Sequence, residues 1–208
     1  MAAALPVTAE PGAATPDGRW RLVAVGPALL LRDAAGAEAR RYPARPLGGG
    51  AVSAVAEVVH AAARRSFVVA FATLPEVWEI SLDPQAEPIF NGYVHDYKMG
   101  EGIAEPGFLG VRRTRLDQPL RPPLAHAAGG FVVGRAAGAE PGFTRLLLVQ
   151  LDVRRAIGRF DVPGQPDPGR AQIRTVDNRP LMSLPDAMGG PDVVIDLRAS
   201  RIVAPTER

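Results

Sequence analysis

Cysteine is absent from this chain, which removes disulfides, thiolate metal sites, iron–sulfur clusters and the Cys-x-x-Cys-His attachment of a c-type haem. Aromatic residues make up only 6% and histidine occurs three times, so imidazole chemistry has few places to reside. Lysine is rarer still, with Lys98 alone among 24 basic residues. The arginines come in scattered pairs (Arg40-Arg41, Arg64-Arg65, Arg112-Arg113, Arg154-Arg155). No basic stripe interleaves with aromatics and the net charge is only +2, which argues against a nucleic-acid surface. No apolar run approaches the roughly 18 residues of a membrane span. His-Glu-x-x-His, Gly-x-Ser-x-Gly and Gly-x-Gly-x-x-Gly are all missing, and Gly48-Gly49-Gly50 lacks the Gly-Lys-Ser/Thr ending of a P-loop. Zincin, hydrolase, dinucleotide and P-loop readings therefore have nothing to stand on.

What is present is glycine (22) and proline (21) punctuating a 208-residue chain that is 47% hydrophobic. That length suits one large domain with a sizeable core. Short apolar runs bounded by turn residues, with almost no helical periodicity, predict an all-β protein. Residues 1–14 are expected to be a disordered N-terminal segment. They lack the basic and apolar regions of a secretory signal, so the chain as it stands is expected in the cytoplasm, or in the periplasm if its natural start lies further upstream.

The runs repeat. A Pro16-Asp17-Gly18 turn leads into Trp20 to Val25, then Ala28 to Arg32, then a stretch ending near Tyr42. The second unit runs from Val52, where helix and strand compete over 52–63, through Ser66 to Phe71 and Glu76 to Leu82. The third runs from Leu124 through Phe131 to Gly134 and Leu146 to Leu151. The fourth has Thr175 to Asp177, an Asn178-Arg179 turn, Leu181 to Leu184 and Val193 to Asp196. An aspartate closes each third run (Asp33, Asp83, Asp152, Asp196), and a spacing of several short strands per roughly 40–50 residues predicts β-propeller blades, about four of them. Between the second and third units lies an excess, read as an inserted loop at 90–123.

That insertion holds Tyr93-Val94-His95-Asp96-Tyr97-Lys98-Met99-Gly100-Glu101-Gly102, where one of three histidines, two of three tyrosines, the single lysine and two acids gather. Rigid strands presenting such a mixture on a loop form binding sites; the same mixture also suits a solvated loop. His95 is the candidate proton shuttle or iron ligand, with Asp96 or Glu101 to orient it, and Tyr97 and Lys98 are candidate ligand contacts. On a strand, Arg113 and Arg115 share one face and, with Arg112 beside them, could grip carboxylates. His60 and His126 read as structural, and Trp20 and Trp78 as core.

The runs Ser66-Phe67-Val68-Val69-Ala70, Pro75-Glu76-Val77-Trp78-Glu79-Ile80, His95 to Gly102 and Arg112-Arg113-Thr114-Arg115-Leu116 resemble the haem d1-binding propeller family. That family comprises the d1 domain of dissimilatory nitrite reductase and the related haem d1 biosynthesis proteins. The resemblance covers about 15 to 203 and implies a portion of an eight-bladed ring. It also implies binding of haem d1 or a haem d1 precursor during cofactor assembly for denitrification, with an activity that modifies the precursor. The implied partners are the tetrapyrrole, other haem d1 biosynthesis proteins and a second copy that completes the ring. Arg112, Arg113 and Arg115 become candidates for the tetrapyrrole carboxylates. Asp167 and Asp186 stand where the family's histidines are expected, so they would contact the cofactor as acceptors and are poorer iron partners than imidazole. The alternatives are a fragment of a d1-type nitrite reductase domain, or a degenerate propeller without cofactor that serves as an interaction surface.

Overall fold

The computed structural model describes residues 10–91 and 104–203. Among them, sixteen strands form four antiparallel four-stranded sheets, each a run of consecutive strands. Blade 1 holds β1 (Gly12–Ala14), β2 (Trp20–Val25), β3 (Ala28–Asp33) and β4 (Glu38–Pro43). Blade 2 holds β5 (Val55–Ala61), β6 (Ser66–Phe71), β7 (Glu76–Ser81) and β8 (Val111–Arg115). Blade 3 holds β9 (Arg121–Ala127), β10 (Phe131–Ala136), β11 (Phe143–Gln150) and β12 (Arg155–Pro163). Blade 4 holds β13 (Gln172–Val176), β14 (Arg179–Leu184), β15 (Val193–Asp196) and β16 (Arg201–Val203). These are propeller blades, four in number, as the repeat predicts.

Three buried clusters hold the blades in a row. Leu22, Leu29, Leu31 and Tyr42 of blade 1 pack on Phe67, Val69, Phe71, Trp78 and Ile80 of blade 2. On the opposite side of the same strands, Val68, Ala70 and Val77 pack on Leu124, Val132, Leu147 and Val149 of blade 3. Val133, Leu146 and Leu148 then meet Met182, Leu184 and Ile195 of blade 4. Side chains alternate across a strand, so a strand packed by a neighbouring blade on each side is apolar throughout. This explains the unbroken Ser66–Phe71 run, all six residues of which are buried. Each such Val, Leu or Phe contributes about 1.5–3 kcal/mol of burial.

The aspartates that mark the repeat have a shared physical task. Asp33 accepts from the N–H groups of Ala35 and Ala37, Asp83 from that of Gln85, and Asp196 from those of Arg198 and Ala199. Each closes the turn from the third to the fourth strand of its blade, as a side-chain acceptor does in an Asx-turn. Asp152 departs from the pattern. Its carboxylate accepts from Arg64 of blade 2 and from Gln150.

Several boundaries differ from expectation. Gly12–Ala14, placed in the disordered segment, pairs with β2. Over 52–63 the strand alternative holds for Val55–Ala61, followed by a 3-10 turn at Ala62–Arg64. The 90–123 segment is not all loop: β8 completes blade 2 and β9 begins at Arg121. The first hairpin of blade 4 turns at Asp177-Asn178, both with positive φ (48° and 61°), as a two-residue type I′ turn requires. No described helix is long and apolar enough to cross a membrane.

Candidate functional site

Antiparallel order gives each blade two ends. The first and third turns of every blade, β1–β2 and β3–β4 in blade 1, lie at what we term the near end. The middle turns and the blade-to-blade connections lie at the far end. The β7–β8 connection, residues 82–110, is a third turn and so belongs to the near end. Its base is closed by an antiparallel bridge between Ile89 and Glu105, with N···O distances of 2.8 and 2.9 Å. Asn91 Nδ2 donates to the Val111 carbonyl at 2.7 Å, and Arg154 of blade 3 donates to the Phe90 carbonyl at 2.9 Å. His95, Asp96, Tyr97 and Lys98 lie outside the described residues.

At the foot of this connection, between blades 1 and 2, a cavity of about 380 Å³ opens at the near end. Trp20 and Phe108 form one wall, their rings edge to face at 6.2 Å between centroids and 71°. His60, Arg19, Arg65, Leu82 and the carboxylate of Asp17 are among the other lining residues. The turn that carries Arg19 and Trp20 is held rigidly. Thr15 N–H donates to the Trp20 carbonyl at 2.9 Å, and the Trp20 N–H donates to Thr15 Oγ1 at 3.1 Å. Asp17 accepts from the Thr15 hydroxyl and from the Arg19 N–H, and these bonds hold its carboxyl below the usual carboxylate range. Arg65 sits at positive φ (48°) and pairs with Asp83, which fixes a guanidinium at the cavity rim. His60 stands 5.5 Å from the Phe67 ring. Burial, with the charge of nearby His60 added, holds the His126 imidazole below its ordinary range.

The residues singled out from the sequence are dispersed. Arg112, on the outermost strand of blade 2, is half-buried and lines a second near-end cavity of about 340 Å³ with Arg64, Glu79 and Asp83. Arg113 lies between blades 1 and 2: its guanidinium stacks 4.1 Å from the Trp78 ring centroid, pairs with Glu76 at 3.3 Å and donates to the Arg45 carbonyl at 2.8 Å. Burial draws its pKa down and Glu76 opposes this. Arg115 is exposed, opposite Glu76 in the register. Asp167 and Asp186 belong to the far end and are neighbours there. Asp167 caps the 3-10 turn Pro168–Arg170, accepting from Gly169 N–H at 2.9 Å, while its own N–H donates to the Pro185 carbonyl. Asp186 accepts from the N–H groups of Gln165, Met188 and Gly190 at 2.6, 2.8 and 3.2 Å, which lowers its pKa.

Sequence reasoning missed Trp20, His60, Arg65 and Phe108 as a group. Trp20, read as core, is half-buried, whereas Trp78 is wholly buried. The signal was available in the repeat: Thr15–Trp20 and Ala61–Arg65 are first turns of adjacent blades, and 82–110 is a third turn, so all three converge at one end. Among the described residues no three His, Asp or Glu side chains gather as a metal site.

No protein-family model matches this chain, and no curated protein does. Solved structures do. The dihydro-heme d1 dehydrogenase NirN, in complex with DHE, superposes with a TM-score of 0.68 and 23% identity over 93% of this chain. The β-propeller domain of Cps50 (Swd1) from Myceliophteria thermophila superposes with a TM-score of 0.50 and 13% identity over 92% of this chain. Apo AztD from Citrobacter koseri is more distant, with a TM-score of 0.49 and 11% identity over 90% of the chain. The chain spans 36% of the NirN chain and 53% of the Cps50 chain. At these identities the likeness shows the fold, that of a β-propeller.

Proposed function

We propose that this chain binds a tetrapyrrole, haem d1 or a haem d1 precursor, at the near end between blades 1 and 2, and acts in haem d1 assembly for denitrification. The observation that carries the reading is the composition of the 380 Å³ cavity. Two aromatic side chains, an imidazole and two guanidiniums converge there, with the Asp17 carboxylate turned to its own loop by Thr15 and the Arg19 N–H, at the foot of the connection that contains His95. An apolar wall with a few convergent polar groups is how proteins take organic ligands, and guanidiniums suit the carboxylates of a macrocycle. The residues present fit one edge of such a ring: Trp20 and Phe108 for the π-face, Arg19 and Arg65 for the carboxylates. His60 or His95 would hold or orient the polar centre, and the bound tetrapyrrole would supply the redox-active iron or the ring carbons to be modified. The likeness in fold to NirN supports the reading. Its partners on this reading are the tetrapyrrole, other haem d1 biosynthesis proteins and a second copy whose blades continue the row.

An optical titration tests it. Adding haem d1 or its dihydro precursor to the purified chain is expected to give a saturable one-to-one shift of the Soret band. His95→Ala should weaken binding about tenfold, the loss of one ligand or hydrogen bond worth about 1–3 kcal/mol, while His126→Ala leaves it unchanged. An absent shift favours the cofactor-free interaction propeller instead, and equal effects from both variants point to general destabilisation rather than a role for His95.

A further inference from the structure

The far end of blade 3 carries a larger cavity, about 670 Å³, with three arginines in its lining, Arg121, Arg135 and Arg145, and no carboxylate. Arg145 is satisfied. It forms a two-pronged pair with Asp161 across β11 and β12. The other two have no such partner. Arg121 and Arg135 face each other across β9 and β10 as a register pair, so their side chains share one face of the sheet, and like charges directly opposite on neighbouring strands are destabilising. Among the described residues neither meets a carboxylate. Arg135 Nη2 donates to the Pro122 carbonyl at 2.5 Å, and its Nε is buried with no acceptor, a group that ordinarily finds one. Two repelling guanidiniums, one of them incompletely satisfied, therefore border an open space of the size that holds a small ligand.

The surroundings suit an oxyanion. Gly138, Gly142 and Gly164 line the cavity, all at φ between +79° and +86°, where a side chain would be strained, so backbone borders the space without bulk. Gln165 adds an exposed amide, and Met188, 78% exposed, forms an apolar lip from blade 4. A guanidinium presents its donors as a planar fork that matches carboxylate and phosphate oxygens two at a time.

We propose that this cavity binds a small polyanion, a carboxylate- or phosphate-bearing metabolite, gripped between Arg121 and Arg135. The site is at the opposite end of the strands from the tetrapyrrole cavity and needs no macrocycle, so the two readings stand or fall separately.

Calorimetric titration of the chain with citrate and, separately, with inorganic phosphate at low ionic strength tests it. At least one anion is expected to bind at a single site with a Kd below about 1 mM, a modest affinity for a two-guanidinium grip. Saturation by citrate alone assigns the carboxylate class, and by phosphate alone the phosphate class. Arg121→Ala, at an exposed position, should weaken binding at least tenfold, whereas Arg174→Ala, on the exposed strand β13, should leave it unchanged. Arg135→Lys, which keeps the charge and loses the fork, should give an intermediate loss. Absence of saturable binding by either anion overturns the proposal, and so does binding that Arg121→Ala and Arg174→Ala affect equally.

Discussion

Replacing Trp78 with alanine is expected to lower stability by about 3–5 kcal/mol, the range for deleting a buried aromatic. Trp78 is fully buried in the cluster between blades 1 and 2. Its ring meets Phe71 edge to face at 4.6 Å, its Nε1–H donates to Glu76 Oε2 at 2.6 Å, and the Arg113 guanidinium lies over the ring. Alanine removes the contact that shields an ion pair as well as the volume. Arg113 and Glu76 would then border a void instead of an aromatic face, a stacking contact worth about 0.5–2 kcal/mol by itself. Trp78→Phe keeps most of the packing and loses the indole donor, so a smaller cost of about 1–2 kcal/mol is expected. Denaturant midpoints for the two variants check this, and a Trp78→Ala cost below that of Trp78→Phe would contradict the packing described.

The second large effect is expected at Arg64, which joins blades 2 and 3. Its Nε and Nη2 donate to the two oxygens of Glu79 at 2.6 and 3.1 Å, and Nη2 also reaches Asp152 Oδ1 at 2.7 Å. Ser66 Oγ donates to the same Glu79 carboxylate at 3.0 Å. The Glu79 side chain is only 3% exposed and that of Arg64 18%, so water screens this pair little. Hydrogen bonding to Glu79, foremost, holds the Arg64 pKa above its ordinary value against the opposing pull of burial. Arg64→Ala leaves a buried carboxylate with one hydroxyl for a partner and should cost about 3–5 kcal/mol. Adding Glu79→Gln to that variant should recover part of the loss, because the orphaned charge is gone. A double-mutant cycle reads the coupling, and a coupling near zero would mean that the pair is not formed in solution.

These two residues show what was legible in the sequence. Alternation of Trp78 and Ile80 with Glu79 and Ser81 marked a strand, and the structure has one at Glu76–Ser81. An alternating strand packed on one side alone would have a wet face; here blade 3 covers that face and Glu79 is buried against Arg64. Alternation identifies a strand but not how many sides are packed; that depends on residues distant in sequence, Arg64 on one hand and blade 3 on the other. The repeat of aspartates was readable because three of the four, Asp33, Asp83 and Asp196, cap a local turn, a short-range interaction. The fourth strands were harder. Val111–Arg115, Arg155–Pro163 and Arg201–Val203 are terminal strands of their sheets, and their mixed polar and apolar residues offer no apolar run to mark them.

The site was legible only in part for a related reason. Arg113 carries the chemistry of an anion contact, yet the structure spends its charge on Glu76 and its face on Trp78. Asp167 and Asp186, expected as cofactor contacts, accept backbone N–H groups of the far-end loops. The near-end cavity, by contrast, is assembled from three turns distant in sequence, and only the blade topology brings Trp20, His60 and Phe108 together.

Hydrogen–deuterium exchange with and without the tetrapyrrole tests the central claim most directly, since amide protection reports where a ligand rests. Added protection is expected in peptides covering Thr15 to Trp20, Ala61 to Arg65 and Leu82 to Pro84, with no change at the far-end turn between β10 and β11. Protection confined to that far-end turn, or none anywhere at saturating ligand, would contradict a tetrapyrrole site at the near end.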